Sequence, residues 1–434
     1  MNAVRRIWGG RADAASNTGS TAVAAAKGNG ENPGLGRGLL LVLGLLMTVN
    51  PVAANMYLAA LGLMAADLGT TIAGAQFALT GFLLGVAFGQ LIVGALADSL
   101  GRRRVLLAGL TLLTLASIEV ALAPSIELLV AGRVVQGLGA AASVVVARAI
   151  VADIATEAQK ASAFSLLMGM LAVGPLIAPL LGTLLMQAGG WRPIFVGLVV
   201  ISSLYLFVAW RTVPETLRPE RRTPVRFTRL LGNYRRLAGD GAYVGNALAM
   251  ALGFAAMSVH VSASSFIAQD VLGTDEWGFS LLYICYAAAV MLGSWANAPL
   301  STRFGARRML VVAQAIAIAS TAALVVFAAT GALNPANFVI SIVLASGAGS
   351  AILANATTLA VGRAAFAAGS GAALMGFTQF ALGSLISPVG GVAGPHTAVP
   401  MAVAMCACFA ASLLAGAAGS WWERRRPAPP ADTR

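Results

Sequence analysis

Few residues in this chain can do chemistry, and those few sit in or between long apolar runs. Arg133 and Gln136 lie three apart in Leu128-Leu129-Val130-Ala131-Gly132-Arg133-Val134-Val135-Gln136-Gly137-Leu138-Gly139-Ala140, a spacing that puts both on one helix face. Placing an arginine in hydrocarbon costs about 2.5–3.5 kcal/mol on insertion scales, so Arg133 must meet a partner or a wet cavity. Two readings stay open: it attracts an anionic or strongly dipolar substrate, or it clamps backbone carbonyls. His260 is one of two histidines, and the other, His396, falls in an external loop. An imidazole titrates near neutrality, which makes His260 a candidate proton site. The competing reading is a hydrogen-bonded packing residue. A third concentration is Gly94-Ala95-Leu96-Ala97-Asp98-Ser99-Leu100-Gly101-Arg102-Arg103-Arg104, one acid and three arginines in a short turn between apolar runs. Arginines at this density belong outside the bilayer.

The elements that position these residues follow from composition. Of 434 residues, 58% are hydrophobic and 10% charged, against about 25% charged in soluble domains. The chain is therefore expected to be an all-α, multi-pass membrane protein. Twelve spans are placed near 38–61, 74–97, 105–123, 126–150, 162–187, 192–211, 242–268, 278–300, 309–330, 335–360, 365–388 and 397–420. With both termini inside, 26 of the 28 Lys and Arg residues fall on the inner side, so the formal charge of +12 reads as a positive-inside bias and not as nucleic-acid binding. Cys285, Cys406 and Cys408 lie in apolar spans without metal spacing, and no disulfide is expected. No H-E-x-x-H, G-x-S-x-G, P-loop or clustered Cys/His is present, so neither an enzyme nor a nucleotide-driven pump is expected, and no cofactor or metal. The segment Ala298–Arg308 is a degraded copy of the turn at 94–104. Gly101 matches Gly305 and Arg104 matches Arg308, each 204 residues apart, as two similar halves require.

The 94–104 turn resembles the loop between helices 2 and 3 of major facilitator superfamily transporters, G-x-L-[AS]-D-x-x-G-R-[RK]-x. The resemblance implies two six-helix bundles related by a pseudo-two-fold, with alternating access of a small-molecule substrate. Arg133-x-x-Gln136-Gly137-x-Gly139-Ala140 is similar to the family's helix-4 motif. Ala147-Arg148-Ala149-Ile150-Val151-Ala152-Asp153 is similar to its A-R-A-I-x-x-D. On that basis Gly94, Asp98, Gly101, Arg102, Arg148 and Asp153 are expected to form a conformational gate at the inner mouth. Together with that loop, Ala53-Ala54-Asn55-Met56-Tyr57-Leu58-Ala59-Ala60-Leu61 resembles Bcr/CflA-type drug:proton antiporters, which usually read T-D-M-Y-L-P-A-L-P. Asn55 stands where their proton-binding Asp would be, and Ala59 and Gly62 replace the prolines. Asn cannot titrate, so Asn55 either contacts substrate or bonds a neighbouring helix. The resemblance thus implies efflux of small amphipathic compounds, antibiotics or metabolites, coupled to proton antiport; because Asn55 replaces the helix-1 acid, the alternative is an uncoupled facilitator or a dedicated exporter of one metabolite. His260 is the residue that could compensate for Asn55. Asn55, Tyr57, Arg133, Gln136, His260, Phe377 and Gln379 are the expected cavity residues.

Gly174-Pro175…Ala178-Pro179…Gly182 resembles the helix-5 motif of exporters in this superfamily. Its prolines remove backbone donors and bend the helix, and its glycines are expected to face a neighbour in the other half. The expected domains are a disordered cytoplasmic tail at 1–37, bundles at 38–211 and 241–420, a cytoplasmic linker with an amphipathic segment at 212–240, and a tail at 421–434. A monomer in the bacterial cytoplasmic (inner) membrane, both termini cytoplasmic, is expected.

Overall fold

The structure, a computed structural model, describes residues 35–222, 227–394 and 396–425; the expected tail over 1–34 and the last nine residues lie outside the described residues. In hydrocarbon the backbone must satisfy its own hydrogen bonds, and the apolar runs do so as helices. Among the described residues, twelve are long and apolar enough to cross a membrane. They are α1 (Arg37–Asp67), α2 (Ile72–Leu100), α3 (Arg102–Leu122), α4 (Ile126–Ile154), α5 (Ser162–Met186), α6 (Arg192–Thr212), α7 (Gly241–Val271), α8 (Glu276–Phe304), α9 (Ala306–Ala329), α10 (Pro335–Arg363), α11 (Ala368–Gly391) and α12 (Val399–Arg425). The helices start where capping side chains stand: Thr71, Ser125 and Asp275 each accept from a backbone N–H three residues on, and Asn334 closes a reciprocal box with Asn337.

The first six spans pack on one another and so do the last six. Within the first half α2 lies along α4 at backbone distance. A Cβ on Gly85 would sit 2.0 Å from the Val134 carbonyl oxygen, so the approach needs glycine. Between halves the main contacts are α2 with α11 and α5 with α8. The repeat is geometric as well as sequential. α7 and α8 begin and end 204 residues after α1 and α2, and the turns that follow α2 and α8 hold Gly101 at φ 105°, ψ 150° and Gly305 at φ 86°, ψ 142°. That backbone region is almost confined to glycine.

Several elements exceed their expected bounds. α1 breaks after Asn55 into a short 3-10 turn, Leu58–Ala60, and resumes to Asp67. α12 continues to Arg425, so Trp421 and Trp422 belong to its last turns and not to a separate tail. The linker carries a helix over Phe227–Ala238, where the amphipathic segment was expected. Trp191 and Arg192, at the start of α6, both hydrogen-bond Asp67 Oδ2 at the end of α1, which ties together the ends of these helices that lie away from the termini. The three cysteines are free thiols.

Replacing either turn glycine by alanine should cost about 1–3 kcal/mol from backbone strain. Gly305→Ala should show only that, because nothing lies near its added Cβ, whereas Gly101→Ala would also press on the Glu215 carboxylate, 2.3 Å away. Thermal unfolding in detergent should therefore rank Gly101→Ala below Gly305→Ala, and Glu215→Ala should narrow the gap.

Candidate functional site

Arg133 is fully enclosed. Its Nε donates to the Ala78 carbonyl of α2 at 3.1 Å, and its Nη1 donates to the Ala53 carbonyl of α1 at 2.9 Å and to Gln136 Oε1. Ala53 O is one of the last carbonyls before the α1 break, where a helix leaves acceptors unpaired and its dipole favours a cation. The guanidinium also lies 4.5 Å from the Phe82 ring centre and 4.6 Å from that of Tyr57. Gln136 passes the network on, donating to Ser117 of α3 at 2.8 Å. Nη2 and the Tyr57 hydroxyl have no hydrogen-bond partner among the described residues. These are the contacts that the carbonyl-clamp reading expects: they join α1, α2 and α4 directly and α3 through Gln136, with the guanidinium shut off from solvent.

Asn55 is also buried. Its Nδ2 donates to the Pro51 carbonyl at 2.7 Å, and its Oδ1 accepts from the Tyr283 hydroxyl of α8 at 2.9 Å. Asn55 thus bonds a helix of the other half. From Tyr283 an aromatic row leads to His260: ring centres are 5.2 Å apart from Tyr283 to Tyr286 and 4.9 Å from Tyr286 to His260, with Phe338 beyond. The His260 Nδ1 is buried without a hydrogen-bond partner. Asn55 and His260 are therefore linked by two tyrosines that the sequence reading passed over. Tyr283 and Tyr286 are three apart in an apolar span, a same-face spacing that was available as a signal. Phe377 packs on Phe88 of α2, ring centres 5.7 Å apart. Gln379 is half-buried and makes no hydrogen bond among the described residues.

At the terminal side, Arg102 gathers the turn. Its Nε donates to Asp153 at 3.0 Å and its Nη1 to Asp98, while its backbone N–H donates to Glu215 Oε1 at 2.9 Å. Glu215 also accepts from the Leu217 N–H at 3.1 Å, so the linker is strapped onto the turn. Glu215 was read as plain linker, since nothing in Pro214-Glu215-Thr216-Leu217 shows that it folds back over 113 residues. Arg148, expected in this cluster, is exposed on α4 and forms no ion pair among the described residues. Gly94 only touches Val145, a contact that a Cβ at 3.9 Å would keep.

The helix-5 motif needs a correction. A Cβ on Gly182 would lie 1.7 Å from the Met56 carbonyl oxygen, and one on Gly174 would lie 2.4 Å from Pro51. Both glycines press on α1 of their own half, where the α1 break pushes backbone toward α5. The other half is met instead by Thr183, whose hydroxyl is 2.9 Å from that of Ser280. Ala178 is buried, and Pro175 and Pro179 lie within the helix.

Among the described residues, the hydrogen bonds that join spans of the two halves lie from mid-depth to the side away from the termini. Gln76 Nε2 donates to the Ser262 carbonyl at 2.9 Å, Gln269 Nε2 to the Ala59 carbonyl at 3.2 Å, and Ser384 Oγ to the Thr80 carbonyl at 2.9 Å, in addition to the Tyr283 and Thr183 contacts. None involves a charge.

The profile of the Major Facilitator Superfamily matches residues 43–388. The chain belongs to that superfamily. It is 35% identical over 374 residues to an uncharacterized MFS-type transporter, YdgK, of Bacillus subtilis (strain 168), covering 85% of this chain and 91% of that one. It is 28% identical over 376 residues to the bicyclomycin resistance protein homolog of Haemophilus influenzae, covering 87% and 94%. Among solved structures, the xylose transporter XylE of E. coli in a partially occluded inward open conformation superposes with a TM-score of 0.66 at 15% identity, over 87% of this chain and 97% of that one, which speaks to the fold. The twelve helices in two bundles are thus the superfamily's fold, and the relatives place the chain with the Bcr/CflA-like branch.

If Arg133 is a clamp, Arg133→Lys should lower the unfolding temperature along with any transport, because an ammonium cannot serve two carbonyls and an amide while stacked on rings. The loss should be about 1–3 kcal/mol for the acceptors left unpaired. A variant with unchanged melting and only weaker substrate binding would assign Arg133 to the ligand instead.

Proposed function

We propose that this chain is a secondary exporter of small amphipathic compounds, antibiotics among them, working by alternating access in exchange for protons. In this reading it is a monomer in the bacterial cytoplasmic (inner) membrane with both termini inside. The orientation is supported by the basic residues: Arg102, Arg103, Arg104, Arg303, Arg307, Arg308 and Arg363 all sit at the terminal side. Efflux is supported by the kinship with the bicyclomycin resistance protein homolog.

The observation that carries alternating access is the one-sided seam between the halves. Neutral hydrogen bonds close the outer side, from Gln269–Ala59 down to Asn55–Tyr283 at mid-depth, and each is worth about 0.5–1.5 kcal/mol net. A handful of such bonds can be exchanged for others without leaving a buried charge unpaired, which is what a two-state rocker needs. With the termini inside, this arrangement is the inward-facing state. Arg102, Asp98 and Asp153 then form the inner latch within the first half, and Arg148, exposed on α4, is free to enter it when the inner side closes. Substrate would lodge between the halves near Asn55, Phe377 and Gln379.

Proton coupling falls to His260, since Asn55 cannot titrate and is already engaged by Tyr283. That same fixed neutral bond favours a second reading, an uncoupled facilitator or a dedicated exporter of one metabolite.

Purified protein in liposomes with an internal pH dye decides between them, with bicyclomycin as the first substrate. The antiport reading expects substrate addition to dissipate an imposed pH gradient, and His260→Gln to abolish that response by at least tenfold while leaving downhill substrate movement. Asn55→Asp should add a coupling site. Substrate movement with no proton flux in the parent would establish the facilitator.

A further inference from the structure

One depression on the surface lies within the first half and not between the halves. It is a groove of about 460 Å³ between α3 and α6, lined by Leu107, Thr111, Ser203, Leu206, Phe207 and Trp210. Of their own half, α3 packs against α2 and α4 and α6 against α1 and α5, and the exposed Phe207 and Trp210 in the groove face outward, toward lipid. Its mouth is at the terminal side, since Arg103 is the second residue of α3 and Arg211 the last but one of α6. Its far end is about 12 Å deeper, eight residues along α3 at Thr111.

Two cations frame that mouth through contacts with the lining itself. Arg103 Nη2 donates to the Trp210 carbonyl at 2.7 Å. The Arg211 guanidinium sits 5.6 Å from the Phe207 ring centre and 5.3 Å from that of Trp210. Neither arginine has an acidic partner among the described residues. The nearby acids are committed elsewhere: Asp98 and Asp153 to Arg102, and Glu215 to the backbone of Arg102 and Leu217. The mouth therefore presents two arginines with spare N–H donors at headgroup depth, above a slot that is apolar down to two hydroxyls.

We propose that this groove is a binding site for one anionic phospholipid, its phosphate held by Arg103 and Arg211 and one acyl chain lying against Leu107, Leu206 and Phe207. Arginine matches phosphate geometry with paired donors. A zwitterionic headgroup is disfavoured because Asp98, Asp153 and Glu215, the described acids at the turn, are already engaged and leave its ammonium without a dedicated partner. The groove is unrelated to substrate passage, and the proposal stands whatever the transporter carries.

The test is native mass spectrometry of the delipidated full-length protein titrated with phosphatidylglycerol or phosphatidylcholine of matched chains. The parent should hold one phosphatidylglycerol about tenfold or more tightly than phosphatidylcholine, in line with two basic groups at a membrane surface. Arg103→Gln/Arg211→Gln should lose that preference, while Arg303→Gln/Arg308→Gln, which removes the same charge on the same side of the other half, should keep it. Leu107→Trp, which fills the slot and spares both cations, should displace the lipid; a size-exclusion profile matching the parent shows that each variant is folded. Equal retention of the two lipids by the parent, an unchanged preference in the Arg103/Arg211 variant, or tight phosphatidylglycerol in Leu107→Trp would each overturn the assignment.

Discussion

A charge that cannot reach water must be answered by the protein, and Arg133 is where this chain meets that constraint. The guanidinium is answered by two backbone carbonyls, an amide oxygen and ring faces. One of those carbonyls exists as a free acceptor only because α1 stops being helical after Asn55. The break thus supplies one of the arginine's acceptors. The same break brings the Met56 carbonyl against Gly182 of α5. It also leaves the Asn55 side chain on the last helical turn, facing Tyr283. One buried cation thus organises the first half and sets the place where that half touches the second.

The two sides of the molecule are held by different chemistry. At the terminal side, where water screens and hydrates, ion pairs around Arg102 bind the turn, α4 and the linker into one piece. Arg102 is itself buried while Asp98 is half-exposed, so water screens these pairs only in part, and they orient the strap formed by Glu215. Away from the termini the halves meet through hydroxyls, amides and carbonyls, which can part without stranding a charge in low dielectric. That division is what the proposed hinge between two bundles would need.

The fold was legible in the sequence because its signals are repetitive and local. Apolar runs set the spans, the 204-residue offset between Gly101 and Gly305 set the halves, and both glycines take the backbone conformation their turns demand. Site geometry was less legible, because polar residues in a membrane protein can satisfy one another in several ways. Arg133 was narrowed to two roles and not to one. Gly174 and Gly182 were recognised as packing glycines but aimed at the wrong half, since a motif gives spacing on one helix and not the helix it meets. Glu215 depends on a loop folding back, and Tyr283 and Tyr286 on a partner from the first half, and neither is encoded in a short window. Arg148 matched its motif, yet its side chain stays outside the ion pairs seen here.

The central claim is that two bundles move as rigid bodies about a seam closed by neutral bonds. Double electron–electron resonance tests it most directly, with Cys285, Cys406 and Cys408 replaced by alanine and label pairs at Leu122 and Val326 on the outer side, Leu100 and Phe304 on the terminal side, and Leu63 and Leu122 within the first half. Cutting the seam with Tyr283→Phe/Gln76→Ala should lengthen the outer distance, shorten the terminal-side distance and leave the distance within the half unchanged. Outer opening without inner closure, or a shift within the first half, would contradict the account.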